Sequence, residues 1–199
     1  MSTIKLKGSS SGEAAITVAA AAGTPTFTLP AAIGTAGEVL QNSTTAGTLE
    51  LGSPFRPAFS ARTSTQFDID GTTWEKYLFQ TEYFDTDNAY DHTTSTFTVP
   101  ANKGGAYQIN YQVSIDDIND GLYMVGRIYV NGSAIGLESG YTWSPAADKI
   151  LSSSQSVLWV LNAGDTVNIY TYTSQSGTQS SESAINHFSM FRLGGVATS

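Results

Sequence analysis

Polar and apolar residues alternate with a period of two through the middle of the chain. Tyr107, Ile109, Tyr111, Val113 and Ile115 are interleaved with Gln108, Asn110, Gln112 and Ser114, the pattern of a strand with one buried face. Leu122–Val130 reads as another strand. It ends at Asn131-Gly132, a dipeptide that favours a two-residue hairpin turn because both positions accept positive φ. Val157–Leu161 is apolar at every position, which predicts a strand covered on both faces. Asn162–Asp165 then reads as a turn, Val167, Ile169, Tyr170 and Tyr172 as a strand, and Phe188–Leu193 as the closing strand. No segment sustains a 3.6-residue period. From residue 54 onward the pattern predicts an all-β sandwich or jelly roll of short strands.

Before residue 54 the pattern changes. Residues 1–53 hold one aromatic, Phe27, among Ala, Gly, Thr, Ser and scattered aliphatics. That composition offers too little apolar area to offset the entropy of ordering the chain, so this stretch is a tether or is ordered by other chains. Ile4–Lys7 alternates, Gly8–Gly12 reads as a turn, and Ala15–Val18 and Thr26–Leu29 read as further short strands, the last ended by Pro30. Short strands between small-residue turns suit an extended stalk. The expected organisation is an anchoring or stalk arm over 1–53 and a head over 54–199.

Charge narrows the partners. Seventeen acidic residues against nine Lys and Arg give a net charge of −8. The basic residues are scattered singly, so the footprint of a nucleic-acid binder is missing. No stretch approaches the roughly 18 apolar residues of a membrane-spanning helix. The apolar run 14–22 is separated from Lys5 and Lys7 by a polar stretch and Glu13, which argues against a cleaved leader. The chain has no cysteine, which removes disulfides and thiol chemistry and leaves burial, within or between subunits, as the source of stability.

The aromatics carry a family pattern. Phe79, Asp85, Tyr90 and Phe97 stand at set intervals and are followed by Gly105, Tyr107 and Tyr111. Flanking blocks keep their order: Pro57–Ala61, Tyr90-Asp91 with Phe97–Pro100, Tyr129–Gly132, Leu161-x-x-Gly164-Asp165-x-Val167, and Phe188-Ser189-x-Phe191-x-Leu193. As a set they resemble the C1q/tumour-necrosis-factor-like domain over about 140 residues. Three departures are a two-residue insertion around Ala101–Gly104, Ile109 where the family has Phe, and Met190 where the family has Gly. The resemblance implies a jelly-roll sandwich that assembles as a homotrimer, with the aromatics in its core, and a module that binds rather than catalyses.

A second resemblance lies in the arm. Ile4–Gly12, then Thr26–Pro30 (TFTLP), then Gly34–Leu40 (GTAGEVL) are similar in order and spacing to a segment of tailed-phage fibre and appendage proteins. Together the two resemblances imply a virion surface protein. Its arm would engage other virion proteins and its head would mediate host attachment through a glycan or protein. Two alternatives follow the same residues: a decoration protein that stabilises a capsid shell, and a secreted C1q-like lectin.

Candidate chemistry is sparse. His92 sits in the polar segment Asp91–Thr94 and His187 begins the last strand. Gly8–Gly12 matches G-x-S-x-G, yet it lies in a low-complexity arm, whereas a nucleophile elbow needs a buried strand before it and a helix after it. The chain is therefore expected to be no enzyme and to require no cofactor. Asp116, Asp117 and Asp120 cluster before Gly121 and are the candidate calcium ligands, since hard cations want several oxygens; some C1q-like domains bind calcium. Trp143 and Tyr141, in the segment Gly140–Pro145, are the candidate receptor or glycan contacts, with Trp74 as a further exposed aromatic.

Overall fold

The structure is a computed structural model that describes residues 3–7, 13–17, 28, 30–31, 38–42, 49–52, 57–116, 121–138, 142–143, 150–179 and 185–195. The chain divides into two compact units, Met1–Pro54 and Phe55–Ser199. The described residues are strands, turns and bends, with no helix among them.

The first unit contains two antiparallel ladders. Strand β1 (Thr3–Lys7) pairs with β2 (Glu13–Thr17), setting Ile4 opposite Ile16 and Lys7 opposite Glu13. Strand β3 (Val39–Asn42) pairs with β4 (Leu49–Gly52), and Leu49 N–H donates to the Thr28 carbonyl at 3.0 Å. The alternation at Ile4–Lys7 and the strand near Ala15 thus appear. Of the strand read at Thr26–Leu29, only Thr28 is described, as a single bridge; the turn at Gly8–Gly12 lies outside the described residues.

The second unit is a sandwich. Its strands are β5 (Ala58–Arg62), β6 (Asp68–Ile69), β7 (Trp74–Lys76), β8 (Thr81–Asp85), β9 (Tyr90–Asp91), β10 (Thr96–Thr98), β11 (Gly105–Asp116), β12 (Tyr123–Val130), β13 (Ser133–Glu138), β14 (Thr142–Trp143), β15 (Leu151–Leu161), β16 (Thr166–Thr173), β17 (Gly177–Gln179) and β18 (His187–Gly194). One sheet runs β13-β12-β16-β10-β9, with β14 also on β12 and β7 also on β16. The other runs β6-β17-β11-β18-β5-β8, with β15 also on β11. These are called the β12 sheet and the β11 sheet. All strand pairings within each of them are antiparallel.

The alternation on β11 holds through Val113: Tyr107, Ile109, Tyr111, Val113 and Ile115 are buried, while Gln108, Asn110 and Gln112 stay partly open; Ser114 departs from it, buried with its hydroxyl donating to Asn186 Oδ1 at 2.7 Å. The aromatics of the sequence pattern form the core. The Phe59 ring stacks on Tyr90 (centroids 4.3 Å apart) and Phe97 (5.0 Å) and meets Phe188 edge-on at 4.8 Å. Such contacts add about 0.5–1.5 kcal/mol each beyond burial. The polar ends of the buried tyrosines are satisfied. Tyr77 Oη donates to the Ser114 carbonyl at 2.7 Å and Tyr90 Oη to the Phe79 carbonyl at 2.8 Å.

Two features close the turns. Asn131 (φ 51°) and Gly132 (φ 76°) make the expected two-residue turn between β12 and β13. Asn131 also accepts from Thr166 N–H and donates to Asp165, which ties this hairpin to the turn before β16. Gly105 has φ +147°, and a Cβ there would collide with the Gly194 carbonyl. Gly164 differs: its φ is +88° but open space surrounds it, so backbone conformation rather than crowding selects glycine there.

Candidate interaction surface

The outward face of the β11 sheet departs from what an antiparallel sheet facing water should show. Along β15 one chain by itself meets the expectation of cover on both faces on one face only. Val157, Trp159 and Leu161 pack inward, but Leu158 is 58% and Val160 54% exposed. An apolar run reports cover on both sides, and a single chain supplies only one. Register extends the patch across the sheet. Leu158 lies opposite Gln108, and Gln108 lies opposite Phe191 on β18, so one cross-strand row reads Leu158–Gln108–Phe191. Phe191, Leu193 and, on β8, Phe84 are also exposed. The adjacent row holds Ser156, Asn110, Ser189 and Ser60. There Ser156 Oγ donates to Asn110 Oδ1 at 2.7 Å, and Gln108 Nε2 donates to Ser156 Oγ at 2.8 Å.

The outward face of the β12 sheet carries a ladder of rings. Tyr129 and Tyr170 stack with centroids 4.1 Å apart, and Tyr123 and Tyr172 stack at 5.9 Å. Trp74 meets Tyr172 at 5.6 Å and Tyr129 at 6.5 Å, and the Arg127 guanidinium lies 4.0 Å over its ring. Val125, in register with Tyr172, is buried. These rings cover one another, so Trp74 is a half-buried member of the ladder rather than the open platform expected of it. Tyr170 and Tyr172 at a spacing of two, beside a strand with Tyr123 and Tyr129, are the sequence signal for this ladder.

Residues 58–193 match the C1q domain family. The chain belongs to that family. Among solved structures, the globular domain of zebrafish complement 1qA protein is similar to this C1q domain with a TM-score of 0.53 at 16% identity, over 71% of this chain and all of that one. Eiger TNF from S. frugiperda is similar with a TM-score of 0.50 at 14% identity, over 72% of this chain and 95% of that one. Murine APRIL at pH 5.0 gives 0.50 at 11%, over 69% and 99%. At these identities the likeness establishes a shared jelly-roll fold. No curated protein matches the sequence.

The geometry explains the C1q pattern residue by residue. Asp85 caps the turn after β8, accepting from Asp87 N–H and, at 2.6 Å, from Tyr90 N–H. Asp165 accepts from Asn162 N–H at 2.7 Å within its own turn. The inserted residues near Ala101–Gly104 are held from two sides: Tyr107 Oη donates to the Lys103 carbonyl, and the Arg192 guanidinium donates to the Gly104 carbonyl.

The candidate ligands are only partly placed. Asp116 ends β11; its Oδ2 accepts from Gln66 Nε2 at 3.3 Å, and its Oδ1 is buried with no hydrogen-bond partner among the described residues. Asp117 and Asp120 lie outside the described residues, so one described residue carries the calcium expectation. The described residues contain no cluster of three His, Cys, Asp or Glu. Tyr141 also lies outside them. The backbone of Trp143 belongs to β14, in register with Tyr123 of β12.

A cleft of about 600 Å³ beside β9 and β10 is lined by Asp87, Asn88, Tyr90, Asp91, His92 and Pro100, among others. Hydroxyls of Thr93 and Thr94, with the Thr93 N–H, hold the Asp91 carboxyl down to about 2. That carboxylate caps a turn and is a poor general base. His92 is exposed in the same turn, and His187 is exposed at the start of β18.

Proposed function

We propose that the chain is a non-enzymatic, homotrimeric surface protein of a tailed-phage virion, with residues 1–53 engaging other virion proteins and the C1q head contacting the host surface. The observation that carries the trimer is the outward face of the β11 sheet, where Phe84, Leu158, Val160, Phe191 and Leu193 are exposed together. A clustered apolar patch on a sheet face marks an association surface. A second and third copy of the same chain would cover it with closed symmetry. The virion assignment rests on the arm segment from Ile4 to Leu40 and its likeness to phage appendage proteins. Tyr141 and Trp143 are the residues proposed to meet a host glycan or protein, and the β12 sheet, whose rings already cover one another, is the face left outward.

Cryo-electron microscopy of the particles tests this. Threefold density on the tail supports host attachment. Threefold density on the capsid shell replaces it with shell stabilisation, and particles without the chain overturn the virion reading.

A further inference from the structure

Burying Leu158 and Phe191 necessarily desolvates Gln108, because register places it directly between them. Its hydrogen bonds among the described residues use one end only. Gln108 Nε2 donates to Ser156 Oγ (2.8 Å), Asn110 Oδ1 (3.3 Å) and the Val157 carbonyl (3.3 Å). Asn110 Oδ1 also accepts from Ser156 Oγ at 2.7 Å. No hydrogen bond among the described residues reaches Gln108 Oε1 or Asn110 Nδ2. Among the described residues each copy therefore presents one amide acceptor and one amide donor without a partner in neighbouring rows of the same face. A side-chain amide left unpaired on burial is costly, whereas a matched pair is favourable.

We propose that Asn110 Nδ2 of one copy donates to Gln108 Oε1 of the next, so that the copies close a ring of amide hydrogen bonds inside the apolar contact. The occupant of this surface is a second copy of the chain. The inference rests on the trimer proposed above and names the groups that set its register. The polar pair excludes alternative packings in which Leu158 and Phe191 are buried but an amide is stranded. Polar residues set register in the same way in other assemblies.

Two experiments on the full-length chain test it. Asn110→Asp keeps the shape and the acceptor Oδ1 but replaces the donor with a second acceptor. Sedimentation equilibrium at neutral pH is expected to show the assembly dissociating at a protomer concentration at least about tenfold higher than wild type; an unchanged midpoint overturns the proposal. The chain has no native cysteine, so Q108C and N110C mixed and oxidised are expected to give an intermolecular disulfide more readily than either alone. A mixture that crosslinks no better than the separate variants overturns it. A monomeric wild type would defeat the trimer itself. An associated wild type with an unaltered Asn110→Asp midpoint and no mixed disulfide would defeat this inference alone.

Discussion

At Gly126 the ring of Tyr111 crosses closely from the facing sheet, and a single methyl group there has a calculable effect. It lies in β12 opposite the buried ring of Tyr111 on β11. A Cβ on Gly126 would stand 2.6 Å from Tyr111 Cε2 and 2.7 Å from its hydroxyl oxygen, both well inside contact distance. Tyr111 is 1% exposed, so its ring can shift only by displacing its packed neighbours. Overpacking of this kind costs about 1–3 kcal/mol. The lower chain entropy of alanine returns about 0.5–1 kcal/mol. The balance for Gly126→Ala runs from near zero to about 2.5 kcal/mol of destabilisation, a fall of up to roughly 10 °C in melting temperature for a domain of this size. Calorimetry at fixed protomer concentration reads it, since association shifts apparent stability. Combining Gly126→Ala with Tyr111→Leu is expected to cost less than the sum of the two, with a coupling of about 0.5–3 kcal/mol. Strictly additive costs would refute the reasoning that the ring occupies the space the glycine leaves.

Two further outcomes follow from the same geometry. Leu158→Asp removes the burial still open to a side chain that is 58% exposed, about 1–2 kcal/mol per copy, and adds a carboxylate to the contact. Light scattering should show the trimer association constant reduced more than about a hundredfold, and an unchanged oligomer would place the interface elsewhere. Burial is the largest cause raising the phenol pKa values of Tyr77, Tyr90 and Tyr107, and Tyr107 is pushed up to about 12. The folded state thus keeps protons that the unfolded chain releases near the ordinary value of about 10. This stability is fully present below pH ~10 and is lost as pH rises toward about 12. Denaturant melts across that range should show the decline, coincident with late tyrosinate absorbance; flat stability would contradict it.

The core was legible in the sequence because each pattern residue answers a local need. Phe79, Tyr90, Phe97, Tyr107 and Tyr111 are buried to within 5%, and Asp85 caps the turn that its position required. The hairpin at Asn131-Gly132 follows from positive φ at both residues. Legibility ended where neighbours outside a strand decide exposure. Val157–Leu161 read as covered on both faces, and one face proved open, because an apolar run cannot say whether its cover comes from its own chain or another. Trp74 read as an open aromatic, yet Arg127, Tyr129 and Tyr172 approach it from strands distant in sequence. The amide pair of Gln108 and Asn110 was hidden for the same reason. Alternation showed two polar positions on a strand, while their use of Ser156 depends on the register of β15.

The central claim is that the open face of the β11 sheet makes this C1q domain a trimer. Absolute mass of the full chain, by multi-angle light scattering or sedimentation equilibrium, tests it most directly. The account predicts three times the 21.1 kDa of one chain, held to low protomer concentration. A stable species at the mass of a single chain would contradict it.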